Sequence, residues 1–305
     1  MIAVSILTFV LAELAPGDFL AEMQLDPRIS EETLETLRAR YGLDQPLPVR
    51  YVRWLDSIVS GDLGHSFAHN MPVGPLLWPR AINTLLLTAS AMLLSWLLAV
   101  PLGAWAAARR GGWLDRSSLG ITAVLMAVPE LLLGLGCLML AVTSGWFPVG
   151  GMSSLDSATL GFWHRLGDLL RHLALPSLAL TLASLPVLFR HVRSAMIDAL
   201  ATPHIQAARG HGIGLRRLLF HHALPTAAGP LTQLFGLSIA SLLSGALLIE
   251  VIMSWPGIGP LLIDAILARD LHVVIGTVLL SGLLMILGNL IADALLLASD
   301  PRIRR

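Results

Sequence analysis

Long stretches without a charged residue constrain this chain more than any other feature of its sequence. Residues Ala81–Ala108 carry no charge in 28 positions, and Ala223–Ile249 carry none in 27. A helix of about 20 apolar residues crosses the hydrocarbon core of a bilayer. Over all 305 residues, 55% are hydrophobic and only 13% are charged, which is too little charge to cover a soluble domain. The sequence therefore predicts an integral membrane protein made of helices.

Six apolar stretches are candidate membrane spans. They are Met1–Ala12, Ala81–Ala108, Ser117–Ser144, His172–Phe189, Ala223–Ile249 and Leu271–Ala292. The first is too short to cross alone, so we interpret residues 1–14 as the end of a span that begins upstream. A cleaved signal peptide fits less well, because this stretch has no basic start and no clear A-x-A site.

The distribution of arginine orients these spans. One set of connections holds 11 Arg and 4 acidic residues: 109–116, 190–222 and 293–305. The opposite set holds 9 Arg and 15 acidic residues: 13–80, 144–171 and 250–270. Since the arginine-dense side of a membrane protein faces the cytoplasm, both termini are expected there.

The predicted architecture is a single all-α transmembrane domain, 1–305, with six helices. The first span, 1–14, precedes an external region, 15–80, and a five-span core, 81–305. Within the external region one helix is expected from a cap at Ser30 to a stop at Gly42. A second is expected after Pro46, ending at Gly61.

Composition excludes several kinds of chemistry. All twenty Lys-or-Arg positions are arginine, so the chain has no lysine for a phosphate-binding P-loop or for a Schiff base. Its single cysteine, Cys137, allows no disulfide framework and no cysteine-based metal site. The net charge of zero indicates no nucleic-acid partner. No catalytic set of side chains is apparent, so we expect a protein that is not an enzyme.

One predicted cytoplasmic connection has an unusual composition. It reads QAARGHGIGLRRLLFHHALP, residues 206–225. Helix is favoured over Ala199–Arg209 and again over Leu215–Leu224, with Gly210 and Gly212 breaking it between. Two short helices joined at this bend would present a compact knob that suits docking to a partner protein. The alternative is a basic anchor lying on anionic lipid.

The spacing of this connection is specific. Gln206-Ala207-Ala208 is followed by Arg209 and two more residues, then Gly212, nine residues, His222, one residue and Leu224-Pro225. This pattern resembles the coupling motif of permease subunits of bacterial ABC importers, which transmits the closure of the ATPase subunits to the spans. Two positions depart from that motif: Gln206 stands for its usual Glu, and His222 for its usual Ile. His222 fits the peptide and nickel branch of these permeases.

Further segments are similar to the same branch. They are Leu14–Asp18, Tyr41–Leu47, Gly61–Ser66, Glu250 with Trp255–Gly259, Arg269–Asp270 and Asp300–Arg302. The resemblance implies a subunit of the bacterial cytoplasmic membrane that forms the path for a peptide or related small solute. It also implies a sister permease, two cytoplasmic ATPase subunits that use ATP and Mg²⁺, an external solute-binding protein, and no cofactor bound by this chain. Within it, the connection 196–225 is the expected coupling loop.

Two further groups of residues are candidates for a role in transport. Trp255, Pro256, Gly257 and Gly259 end the fifth span, and form either an external gate or a simple turn with Trp255 as an interfacial anchor. Glu130 lies within a predicted span, where a charge costs about 2.5–3.5 kcal/mol. Glu130 either lines the translocation path, or is protonated or satisfied by a neighbour. Glu250 is a second candidate for the path.

Two alternatives remain open from the sequence. In a transporter or channel driven by an ion gradient, Glu130 would be the proton or ion site. His65, His69 and Met71 offer soft-metal ligands, which would suit nickel or a nickel chelate as substrate. Without a tighter set of ligands we expect a solvated loop there and no metal site.

Overall fold

The structure, a computed structural model, describes residues 2–14, 35–36, 45–154 and 161–299. The predicted external helix from Ser30 to Gly42 lies outside the described residues except at Glu35 and Thr36, which are helical. The segments Leu14–Asp18, Tyr41–Leu47 and Asp300–Arg302 also lie wholly or largely outside them. The division into a first span, an external region and a five-span core stays a prediction.

Helices make up nearly all of the described chain. They are α1 (Ile2–Leu14), α2 (Leu47–Val59), α3 (Val73–Ala108), α4 (Trp113–Ala127), α5 (Glu130–Ser144), α6 (Phe162–Leu200), α7 (Pro203–Gly210), α8 (Leu215–Arg217), a π-helix (Leu218–Ala223), α9 (Leu224–Thr226), α10 (Ala228–Ile252), α11 (Ile258–Leu267) and α12 (Leu271–Ser299). Among the described residues, β structure is confined to a hairpin of strands β1 (His65–Ser66) and β2 (Met71–Pro72). The predicted all-α class is confirmed.

Four described helices are long and apolar enough to cross a membrane: α3, α6, α10 and α12. Helices α4 and α5 qualify together as a fifth span if they form one broken span. Helix α1 has 13 residues and is shorter than a span. The prediction of several apolar membrane helices is confirmed, and the count of six stays a prediction.

The predicted span Ser117–Ser144 is not one helix. The chain turns by 99° between α4 and α5. Val128 is extended (φ −89°, ψ 120°), and Pro129 follows with ψ 143°. Proline has no N–H to donate and disfavours helical backbone in the residue before it, so the helix stops there and restarts at Glu130. Glu130 is therefore the first residue of a helix and does not lie mid-helix.

Helix α6 is much longer than the apolar run His172–Phe189 that predicted it. It spans 39 residues and extends into both flanking connections that had been expected as loops. Its buried face continues past the run, with Val192, Met196 and Ala199 in the core at helical spacing. Hydropathy marks the part of a helix that crosses hydrocarbon, whereas packing decides where the helix ends.

The chain forms two compact units. One combines residues 1–83 with 256–284, and the other combines 84–255 with 285–305. In the second unit, α6 packs against α4, α5 and α10. In the first, Val73, Leu77, Leu261 and Val273 form one apolar cluster. The second predicted external helix is confirmed as α2, which packs Trp54 against Phe9 of α1 and ends before Gly61 (φ +85°).

Gly103 allows α3 and α6 to approach closely. A Cβ atom there would lie 2.8 Å from Cγ1 of Val192 and 3.1 Å from the backbone nitrogen of Arg193. Gly103→Leu should lower the free energy of unfolding by about 1–3 kcal/mol, because the backbone of α6 has no room to yield. Thermal unfolding in detergent measures this effect. Gly120→Leu is the control, since nothing lies within 4 Å of a Cβ at that helical glycine. Equal melting of the two variants would contradict the close approach.

Candidate functional site

The connection after α6 folds as the two predicted short helical segments. The first, α7, begins at Pro203, where a proline at the first helical turn loses no hydrogen bond. Ile205 is 1% exposed and fixes this helix to the protein. Gln206, Ala207 and Arg209 are exposed. The predicted helix over Ala199–Arg209 is divided at Ala201–Thr202, between the end of α6 and the start of α7, and the exposed side chains of α7 point away from the core.

Gly212 makes the bend between the two segments. Its φ is +79°, in the left-handed region where a Cβ is disfavoured, and its N–H donates to the carbonyl of Arg209 at 3.0 Å. Nothing lies within 4 Å of a Cβ placed there. The predicted glycine turn is thus confirmed. A larger side chain at this position would extend into open space and would not clash with this chain.

The second segment is irregular. It runs through α8, the π-helix and α9, and continues past Pro225, which had been expected to end it. A proline cannot donate to the carbonyl four residues earlier and crowds it, and a π-turn is one way in which a helix accommodates such a break. Leu218, Leu219 and Ala223 are buried, which attaches the segment to the core. Trp105 of α3 contacts Phe220 with its ring centroid at 6.3 Å.

The two segments are also joined to each other. Nε2 of His204 lies 3.2 Å from Oγ1 of Thr226, and that hydroxyl donates to the carbonyl of His222 at 2.9 Å. We call residues 203–226 the knob. Its exposed side carries a further set of cationic or titratable side chains, Arg209, His211, Arg216, Arg217 and His221. The knob is therefore a rigidly mounted, basic surface with a small-residue patch at Ala207.

A buried ion pair supports the same end of the protein. Asp115 at the start of α4 is 2% exposed, and its two oxygens accept from Nε of Arg193 at 2.5 Å and from Nη2 at 2.8 Å. The N–H of Gly111 donates to the same carboxylate at 2.8 Å. Both oxygens are thus engaged by α6, the helix that leads into the knob. Sequence reasoning missed this pair, because its members lie 78 residues apart.

The chain after the end of α10 at Ile252 does not fit one of the two interpretations of Trp255. This side chain is fully buried in the core and is not an interfacial anchor. Ser254 has a φ of +51°, and the N–H of Trp255 donates to the carbonyl of Glu250 at 2.8 Å. This is the Schellman arrangement that ends a helix by reversing the chain. The reversal turns Trp255 inward, which hydropathy could not reveal.

The residues after Trp255 begin the short helix α11. The carbonyl of Pro256 accepts from Nδ2 of Asn83 at 2.8 Å, and Gly257 is extended where it precedes the helix. Gly257 and Gly259 are both buried. The gate formed by Trp255, Pro256, Gly257 and Gly259 stays a prediction.

Two external signature segments are joined by a buried hydrogen bond. Oγ of Ser66 donates to Oδ2 of Asp270 at 2.6 Å, and the N–H of Ala68 donates to the same oxygen at 3.1 Å. Ser66 and Asp270 both have no exposed surface. Because the hydroxyl hydrogen goes to Asp270, the hydroxyl oxygen accepts from the N–H of His69. Asp270 thereby holds the hairpin to the start of α12.

Ser66→Ala should lower the free energy of unfolding by about 1–3 kcal/mol, because it removes a donor from a buried carboxylate. The expected result is a lower melting temperature of the purified protein. The matched control is Ser60→Ala, since the exposed hydroxyl of Ser60 bonds only to local carbonyls. A Ser66 variant as stable as the Ser60 variant would contradict the role of this bond.

The two acidic candidates for the translocation path lie in different surroundings. Glu250 is fully buried and accepts a 2.5 Å hydrogen bond from Oγ1 of Thr84. Glu130 is partly exposed, and its carboxylate lies against Gly245 of α10. Glu250 is thus satisfied within the fold, whereas Glu130 presents part of its charge outward. A path role for each stays a prediction.

His65 and His69, the histidines of the predicted external region, each form a hydrogen bond with a nearby side chain. Nε2 of His65 lies 3.3 Å from Oδ1 of Asn70, and Nδ1 of His69 lies 3.2 Å from Oγ of Ser66. Within the described ranges, no group of three or more His, Cys, Asp or Glu side chains could hold a metal ion. The expectation of an ordinary loop in place of a metal site stays the preferred interpretation.

Comparison with known proteins identifies the family. Residues 99–305 match the family described as "Binding-protein-dependent transport system inner membrane component", and residues 1–88 match its N-terminal counterpart. The chain is 36% identical to the oligopeptide transport system permease protein AppB of Bacillus subtilis, covering 99% of this chain and 95% of that protein. It is 34% identical to the dipeptide transport system permease protein DppB of Escherichia coli K12, and this match covers 99% of this chain and 94% of that protein.

A solved structure shares the fold. A chain in a solved inward-facing structure of the MetNI methionine ABC transporter is similar to this one, with a TM-score of 0.61 and 18% sequence identity. The match covers 74% of this chain and 96% of that chain. The family match over residues 99–305, which is more than half of the chain, shows that the chain belongs to the family of inner membrane components of binding-protein-dependent transport systems.

Proposed function

We propose that this chain is the permease subunit of an ATP-driven importer and forms the path for peptides or a related small solute. The observation that carries this proposal is the knob, a basic surface mounted on buried leucines at the end of α6. Its residues coincide with the spacing that resembles the coupling motif. The names of the relatives, which refer to oligopeptides and dipeptides, favour peptides over nickel as the transported solute.

The proposed assembly contains three further kinds of subunit. A sister permease would complete the path, two cytoplasmic ATPase subunits would bind ATP and Mg²⁺, and a solute-binding protein would deliver substrate from outside. The excess of arginine in the connections 109–116, 190–222 and 293–305 supports a cytoplasmic location for the knob and both termini in a bacterium. Membrane lipid surrounds the apolar faces of the spans. Nucleic acid has no part in this assembly.

The knob gives this mechanism a physical basis. Closure of the ATPase subunits on ATP would move the knob, and the buried contacts of Leu219 and Ala223 would carry that motion into the bundle. The path would then open outward to receive substrate, and hydrolysis would return it to the inward-open state. The chain itself performs no bond chemistry in this cycle.

Family membership weighs against an importer or channel driven by an ion gradient. The experiment that tests the proposal is purification of the tagged chain from native membranes in mild detergent, followed by mass spectrometry of the proteins that accompany it. A second permease and P-loop ATPases are the expected companions. The complex is then placed in vesicles with ATP inside and its binding protein outside, and uptake of dialanine is measured. A chain that purifies alone and moves solute without ATP would overturn the proposal.

A further inference from the structure

Glu130 is the first residue of α5, and its surroundings are unusual for a carboxylate among membrane spans. A Cβ added to Gly245 would overlap Oε1 of Glu130, so the carboxylate packs directly on the backbone of α10. Among the described residues no cationic side chain forms an ion pair with Glu130, and the side chain is only partly buried. A charge in this position calls for water or for a positively charged partner.

The face of α10 beside Glu130 is small and polar. Ser241 lies one turn before Gly245 on the same face, and Ser244 is the adjacent residue; both serines are exposed. Farther along the exposed side of the same helix are Leu237 and Leu248, which are 70% and 48% exposed. The hydroxyls and the carboxylate thus form one polar patch between apolar surfaces. We call Glu130, Ser241, Ser244 and Gly245 the acidic patch.

The acidic patch lies toward the outer end of α10. Gly245 is seven residues before the end of the helix at Ile252, which corresponds to about 10 Å. Gly134, one turn after Glu130, packs against Ile249 and Ile252. The two helices therefore run side by side in the same direction from the patch outward. A solute that enters from the external side would reach this patch in the outer half of the spans.

We propose that the acidic patch binds the protonated α-amine of a peptide during its passage. The carboxylate of Glu130 supplies the negative charge, and the hydroxyls of Ser241 and Ser244 accept the remaining N–H bonds of the ammonium group. The absence of a side chain at Gly245 lets the carboxylate lie against the backbone of α10, next to the two exposed serines. This inference rests on the proposed function, since it assigns the part of a peptide that the path recognises.

The test uses the purified complex of this chain with its sister permease and ATPases, held outward-open with ATP and vanadate and without its binding protein. Binding of dialanine and of N-acetyl-dialanine is measured by equilibrium dialysis. The wild-type complex should bind the free amine about tenfold more tightly, as expected for a hydrogen-bonded charged group. Glu130→Gln should abolish this preference, and Glu130→Asp should retain part of it. The control is Asp264→Asn, which changes an exposed acid on α11.

The outcomes separate this inference from the proposed function. If the wild-type complex takes up dialanine in vesicles but binds both peptides equally, the acidic patch does not recognise the amine. The inference is also wrong if Glu130→Gln, in a complex that still contains the sister permease and the ATPases, keeps the preference. If the wild-type complex with its binding protein shows no ATP-dependent uptake of dialanine, the proposed function itself fails.

Discussion

Gly212→Trp is expected to lower ATP-dependent transport at least about tenfold while ATP hydrolysis continues. The φ of +79° at this position disfavours any side chain, but a Cβ there points into open space, so the fold should survive. The indole would instead occupy the surface on which a partner docks. Obstruction that costs about 1.4 kcal/mol of docking energy is enough for a tenfold loss. The measurement is the ratio of dialanine transported to ATP hydrolysed in vesicles.

Gly111→Trp is the matched control for this experiment. Gly111 has a φ of +77°, is exposed, and also has nothing within 4 Å of an added Cβ. It lies in the connection between α3 and α4, outside the knob. The backbone strain of the two variants is therefore similar, whereas only one changes the proposed docking surface. Normal transport by Gly212→Trp, or equal loss in both variants, would contradict coupling through the knob.

Asp115→Ala is expected to lower the free energy of unfolding by about 3–5 kcal/mol. The substitution leaves the guanidinium of Arg193, whose side chain is 18% exposed, without its carboxylate partner. It also leaves the N–H of Gly111 without its acceptor. Thermal unfolding of the purified protein in detergent should show a large drop in melting temperature.

Two further variants show whether the paired geometry is responsible. Arg193→Lys should also be destabilising, because an ammonium group cannot reproduce the two parallel bonds from Nε and Nη2. Combining Asp115→Ala with Arg193→Met should be milder than Asp115→Ala alone, since no unpaired charge remains. If Asp115→Ala melts like the wild type, the ion pair does not hold α4 to α6.

Local sequence signals predicted the features that depend on neighbouring residues. Uncharged runs located the long helices, and glycine with proline located the two segments of the knob, because backbone restrictions act on adjacent positions. The run Ser117–Ser144 was predicted as one span, but the 99° turn at Pro129 depends on how α4 and α5 each pack against α6. Likewise the extent of α6 beyond its apolar run follows from packing.

Long-range pairings could not be predicted from one sequence. Ser66 and Asp270 are 204 residues apart, yet their side chains form a direct hydrogen bond. Each residue alone is typical of an external loop. Trp255 was expected at an interface because tryptophan often lies there, whereas the helix ending at Ser254 turns it into the core. Only the three-dimensional arrangement shows which polar groups are partners and which aromatic rings are enclosed.

Site-directed cross-linking tests docking of the knob most directly. The single Cys137 is replaced by serine, and a cysteine is introduced at exposed Ala207, with exposed Ser60 of the external region as the control position. In the purified complex, a cysteine at 207 should cross-link to an ATPase subunit in a yield that changes with ATP, and a cysteine at 60 should not. A cysteine at 207 that never cross-links to an ATPase, with or without ATP, would contradict the coupling role of the knob.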